Sequence, residues 1–242
     1  MHARLLVGLM AACTPAALGQ NLIVNGSFED IAVAPNGGWT TFGLGWDAVA
    51  GWHAVGQLDA MGTFLTPFDG VVTIDLNGGS PARIEQVVPT VPGRRYTVSF
   101  ALSANMQGPA GPREMRVVAP GVSHNYVFDP IAEGATLLQP KWKTISVGFT
   151  AADAASLIAF EGVNAGAYGA AIDDVHMIDA GLPGCNEADL VEPFTVLNFF
   201  DVAAYVSMFN AQDARADMAA PIGVLNFFDV AAFLNAFSAG CP

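Results

Sequence analysis

The carboxy-terminal part of this chain is written twice. V-L-N-F-F-D-V-A-A stands at 196–204 and returns unchanged at 224–232. Each copy opens on an aspartate, Asp189 or Asp217, and passes through a proline, Pro193 or Pro221, before its apolar run. A unit this short cannot bury its own apolar face, so the copies must pack on each other or on a partner. Val202, Tyr205, Val206 and Phe209 follow the spacing of one helix face, and Val230, Phe233, Leu234 and Phe237 repeat it. The spacing predicts two loop-plus-helix units packed together. A duplicate that occurs once and stops reads as an interaction module.

The ends of the chain place it in an export pathway. Arg4, the apolar stretch Leu5 to Ala12 and the small-x-small site Ala17-Leu18-Gly19 read as a signal peptide over 1–19. A rival reading takes Leu9 to Cys13 as a lipoprotein signal, with lipid on Cys13. Cleavage near Gly19 leaves Cys185 and Cys241, which bracket the duplicate and in an oxidising compartment form one disulfide. Their spacing matches no zinc pattern.

Nine basic residues against a net charge of −13 leave nothing to neutralise a phosphate backbone, which excludes nucleic acid as a partner. No later segment approaches the roughly 20 apolar residues of a membrane-spanning helix. His53, His124 and His176 are scattered and stand in no metalloprotease, nucleophile-elbow or phosphate-loop motif. The chain is therefore read as non-enzymatic. Polysaccharide hydrolysis by a carboxylate pair stays as an alternative, because sequence cannot place two carboxylates.

Between the signal and the duplicate, short β-favouring runs alternate with Gly, Pro, Asn and Asp turns. Tyr96, Val98, Phe100 and Leu102 alternate with small polar residues, and Pro92-Gly93 marks the turn before them. Further strands are expected at Leu22–Phe28, Val71–Leu76, Arg83–Val88, Glu114–Ala119, Asn125–Phe128, Thr144–Thr150, Ser156–Glu161 and Ala170–Ile178. The pattern predicts a mostly β chain: an antiparallel sandwich over 20–180 and a small helical module over 181–242. Trp52 and Trp142 adjoin strand-like runs and are expected to pack inward. Trp39 and Trp46 lie in a Gly-rich loop and are the candidates for stacking on a sugar.

N-L-I-V-N-G-S-F-E at 21–29, G-W-H-A-V at 51–55, F-D-G-V-V-T-I-D-L-N-G at 68–78, I-E-Q-V-V-P-T-V-P-G-R-R-Y-T-V-S-F-A-L-S-A-N at 84–105 and A-I-D-D-V at 171–175 follow one order. This resembles the DUF642 and choice-of-anchor C domains, which are similar to galactose-binding-like, jelly-roll carbohydrate-binding modules. The resemblance implies an extracellular, non-catalytic sandwich that binds a polysaccharide or cell-wall glycan. It also implies a structural calcium where first and last strands meet, held by Glu29 and by Asp173 or Asp174. Without the resemblance, these carboxylates read as a solvated turn and a polar strand end.

The duplicate resembles a dockerin, the paired calcium-loop-and-helix module that docks onto cohesin domains, in a divergent form ending Gly240-Cys241-Pro242. The resemblance implies calcium ligands at Asp189, Asn198 and Asp201, and at Asp217, Asn226 and Asp229. Each loop is one residue too long, and Val191, Pro193, Ala219 and Pro221 stand where oxygen ligands are expected. A competing reading makes Asn198 and Asn226 N-caps, with Asp201 and Asp229 at the third helical position. Phe199, Phe200, Phe227 and Phe228 are either a docking surface for a cohesin-like partner or the module's own core. The functional expectation is a secreted glycan-binding protein tethered by its tail; the alternatives are an extracellular structural or adhesion protein that binds protein, or a hydrolase delivered by the same tail.

Overall fold

The computed structural model describes residues 20–33, 38–181, 184–220 and 224–241. The expected signal over 1–19, with Cys13, lies outside the described residues, as do Pro221 and Pro242. No helix among the described residues is long and apolar enough to cross a membrane.

Eleven strands are found among the described residues: β1 Trp39–Gly43, β2 His53–Val55, β3 Gln57–Met61, β4 Thr73–Asp75, β5 Arg83–Pro89, β6 Arg95–Ala104, β7 Arg113–Ala119, β8 Val122–Phe128, β9 Lys143–Thr150, β10 Ala155–Gly162 and β11 Ala170–Gly181. They form two antiparallel sheets, a six-stranded one in the order β1-β3-β4-β11-β6-β9 and a five-stranded one in the order β2-β5-β10-β7-β8. Sequence neighbours such as β5 and β6 fall in different sheets, as in a jelly roll. The period of two in β6 puts Tyr96, Val98, Phe100 and Leu102 inside, where they meet Ile84, Met115, Val117, Ile158 and Phe160 of the facing sheet. Phe100 and Phe160 rings meet edge to face at 5.0 Å between centroids.

The first segment departs from expectation. Leu22–Phe28 forms no strand, because Asn25 (φ 54°) and Phe28 (φ 62°) enter the left-handed region. Side chains take the place of a ladder. Gln86 accepts from Val24 N at 2.9 Å and donates to Val24 O at 2.9 Å, and Asn21 accepts from Met177 N at 2.9 Å. The strands β1, β2 and β3, absent from the sequence reading, fill the interval to β4.

The outer face of the six-stranded sheet carries a second apolar cluster under its loops: Met61, Leu65 and Ala171, with Phe64, Met106, Leu137 and Trp142 partly buried against it. Trp142 is thus half-buried in this satellite, its Nε1 donating to Thr66 O at 3.1 Å, while Trp52 lies in the main core. Beyond β11 come helix α1 Phe199–Asn210 and helix α2 Phe227–Ala239. Cys185 and Cys241 are joined in a disulfide with their Cα atoms 5.3 Å apart. Arg94 couples sandwich to tail, meeting Asp179 at 2.8 Å and Glu192 at 3.5 Å.

Candidate functional site

A cleft of about 510 Å³ opens beside β2 and β5, lined by Asp47, His53, Glu85, Gln86 and Val87 over the buried Trp52. Local bonding shapes it. The Asp47 carboxylate accepts from Ala54 N at 2.9 Å and meets His53 Nδ1 at 3.0 Å, which folds the preceding Gly-rich loop back onto β2. The hydrogen bond to His53, then that from Ala54 N, holds the Asp47 carboxyl below its ordinary value, and the same Asp47 contact raises His53. Antiparallel register sets His53 directly opposite Glu85. Trp52 forms the floor, its Nε1 donating to Asn25 O at 3.0 Å and its ring meeting Phe28 and Phe160.

From Glu85 a polar ladder crosses the solvent face of the five-stranded sheet. Arg83 meets Glu85 at 2.5 Å and Glu161 at 2.9 Å; Arg116 meets Glu161 at 3.6 Å and donates to Asn125 Oδ1 at 2.9 Å; Asn125 Nδ2 donates to Glu114 at 2.8 Å. These groups share a face because every second residue of each strand points outward. Planar guanidinium, carboxylate and amide groups bind vicinal hydroxyls in pairs, which is the chemistry a sugar edge requires.

Trp39 and Trp46 are both exposed, at 58% and 48%, but the fold separates them. Trp46 adjoins the cleft through Asp47, its neighbour in the chain. Trp39 belongs to the other sheet, where it packs on Phe64 with centroids 5.4 Å apart.

Glu29 and Asp173 converge on one loop. Glu29 Oε1 accepts from Val71 N at 2.8 Å and Val72 N at 2.9 Å. Asp173 Oδ2 accepts from Phe68 N at 2.8 Å and Asp69 N at 3.1 Å, and its Oδ1 from Asp174 N at 2.7 Å. Burial nevertheless pushes the Asp173 carboxyl up to about 7. Asp174 turns away to His176 Nε2 at 2.7 Å. Calcium requires about six to eight oxygens; here two carboxylates face five backbone N–H groups. This donor set fits a clamp on the 68–72 loop and does not fit a calcium cage.

Two further carboxylates meet only through register. Asp59 on β3 stands opposite Asp75 on β4, on the face turned from the main core. Asp75 is fully buried and accepts from Asn77 N at 2.9 Å, Gly169 N at 3.0 Å and Asn105 Nδ2 at 2.8 Å. Burial pushes its carboxyl up to about 7, and burial also raises Asp59, which Thr41 Oγ1 contacts at 2.5 Å. Asp75 and Asp173 thus hold loops from opposite ends of this face.

In the tail, both helices carry the capping box expected of Asn198/Asp201 and Asn226/Asp229. Tyr205 and Phe233, equivalent residues of the two copies, stack at 4.1 Å between centroids and form the tail's buried centre. Val206 and Leu234, placed on the buried face by spacing, remain half exposed and border a small apolar groove between the helices. Phe199, Phe200, Phe227 and Phe228 are 64–77% exposed, so they lie outside the module's core. Among the described residues, the one group of three metal-ligating side chains is Cys185, Asp189 and Cys241, and its sulfurs are committed to the disulfide.

The sandwich is similar to solved carbohydrate-binding modules. The CBM4 module is 20% identical, with a TM-score of 0.40 over 65% of this chain and 99% of that one. A xylan-binding CBM22-1 domain from Paenibacillus barcinonensis is 13% identical, with a TM-score of 0.39 over 62% and 94%. TmCBM61, solved with β-1,4-galactotriose, is 15% identical, with a TM-score of 0.40 over 66% and 99%. Likeness at this level carries no ligand across to this chain. Among curated proteins, Halomucin of Haloquadratum walsbyi is 29% identical over 185 residues, 74% of this chain, and the chain spans 2% of that protein's length. A family model described as a protein of unknown function, DUF642, matches residues 21–178, the span from Asn21 to Ile178 within β11. This chain belongs to the DUF642 family.

Proposed function

We propose that this chain is a secreted, non-catalytic glycan-binding protein whose sandwich takes a polysaccharide along the cleft beside β2 and β5, and whose tail docks it to a cohesin-like protein at the cell surface. The observation that carries the reading is an exposed indole in the loop before β2, next in the chain to Asp47, beside a row of hydrogen-bonding groups on the five-stranded sheet. Trp46 offers a ring to the apolar face of a sugar, and Asp47, His53, Glu85, Arg83, Glu161 and Arg116 offer donors and acceptors to its hydroxyls. The groups are braced against one another, so little side-chain entropy is lost on binding. The four exposed phenylalanines support the docking half, since large apolar side chains left exposed in pairs at the start of each helix are surface that a partner can cover.

A glycan array with the full chain tests the sandwich: binding to a subset of neutral polysaccharides, lost in Trp46→Ala at unchanged melting temperature, is the expected outcome. An array with no bound glycan, or equal binding by the variant, refutes it.

A further inference from the structure

We infer that the duplicated tail holds its two loops shut with its own carboxylates in place of a cation, so that docking through its exposed phenylalanines is independent of calcium. The docking part of this statement rests on the function proposed above; the clamp itself does not.

The two copies solve the same problem in the same way. Asp201 is fully buried; its Oδ1 accepts from Leu190 N at 2.8 Å and Val191 N at 3.1 Å, and its Oδ2 from Asn198 N at 2.9 Å. Asp229 is also fully buried; its Oδ1 accepts from Met218 N at 2.9 Å and Ala219 N at 2.8 Å, and its Oδ2 from Asn226 N at 2.7 Å. Each carboxylate thus ties the start of its loop to the start of its helix. In a calcium loop the ion performs that closure by gathering oxygens from both ends. Here three backbone N–H groups converge on each carboxylate, and a divalent cation taking both its oxygens would have to displace them.

Asn198, Asn226 and Asp189 are engaged by the chain as well. Asn198 Oδ1 accepts from Phe200 N at 2.7 Å while its Nδ2 donates to Val196 O at 3.0 Å; Asn226 does the same with Phe228 N at 2.7 Å and Val224 O at 2.8 Å. Asp189 Oδ2 accepts from Cys185 N at 2.8 Å and from Thr195 N. Its Oδ1 is buried without a hydrogen bond, but its ligating neighbours are the disulfide sulfurs, which supply no oxygen. Val191, Pro193 and Ala219 add no side-chain ligand. The clamp has a consequence for display. Asp201 and Asp229 are the third residues of their helices, so they fix the first two, Phe199–Phe200 and Phe227–Phe228, in the exposed position.

The test uses the full chain, with hydrogen exchange read by mass spectrometry and thermal unfolding followed in EDTA and in millimolar calcium. The inference expects melting temperatures that agree within about 1 °C and unchanged protection at Leu190, Val191, Met218 and Ala219. Asp201→Asn and Asp229→Asn replace an accepting oxygen with a donor, and exchange at those amides should accelerate about tenfold with the sandwich strands unaffected. A rise in protection or melting temperature on adding calcium to the unaltered chain overturns the clamp, and its loss in Asp201→Asn would identify the carboxylate as a ligand. Capture of a recombinant cohesin domain only when calcium is present overturns the independence. No capture under either condition, with exchange indifferent to calcium, sinks the docking reading and keeps the clamp.

Discussion

Replacing Asp75 by Asn should erase a pH dependence of stability that the unaltered protein carries between about pH 4 and pH 7. Asp75 is fully buried, and burial lifts its carboxyl from 3.8 to about 7. The folded state therefore keeps a proton through a range in which the unfolded chain has already released it. With a raised folded value the sign is fixed: the group is neutral and least costly below the unfolded value, and stability falls as pH rises through that window, levelling off above the folded value. At about 1.4 kcal/mol per pH unit, a rise of this size is worth about 4 kcal/mol. Asn retains an oxygen for Asn77 N and Gly169 N but sets an amide against Asn105 Nδ2, a loss of about 1 kcal/mol that does not vary with pH. Urea titrations of both proteins at pH 4.5, 6 and 8 give the comparison. The difference in unfolding free energy, unaltered minus variant, should drop by about 2–4 kcal/mol from the lowest to the highest pH. Asp173 contributes a slope of the same direction to both proteins and cancels. A difference that stays constant with pH, or grows as pH rises, refutes the reasoning.

Two further outcomes follow from the tail. Replacing Cys185 and Cys241 by Ser should destabilise the tail by about 2–4 kcal/mol, seen as early loss of exchange protection in α1 and α2 with the sandwich melting unchanged. Phe200→Asp combined with Phe228→Asp should leave the melting temperature within about 2 °C, because both rings are exposed, while abolishing capture of a cohesin domain; a large fall in melting temperature would place these rings in the fold.

What the sequence disclosed was whatever depends on local pattern. The alternation of Tyr96 to Leu102 gave β6 its inward face, and Asn198 and Asn226 marked both helix starts. Leu22–Phe28 misled because apolar residues there are pinned by the side chains of Asn21 and Gln86, with Asn25 and Phe28 at positive φ, a conformation no hydropathy pattern reveals. Strands β1 to β3 escaped notice because they are short and glycine-flanked, and because β3 carries Asp59 among its apolar residues. The Gly-rich loop pointed to Trp46 as an exposed ring. Its polar companions did not stand out, since His53 and Glu85 meet through strand register and Asp47 reaches them only when its loop folds back. The same holds for Asp59 and Asp75, 16 positions apart yet directly opposite across two strands.

The central claim is that glycan binds at the cleft beside β2 and β5. Hydrogen exchange of the full chain, with and without a polysaccharide selected on the array, tests it most directly. The account predicts slowed exchange confined to peptides covering residues 44–55, 83–87, 113–119 and 155–162; slowing instead around Trp39 of the other sheet and Phe64 packed on it, or none at all, would contradict it.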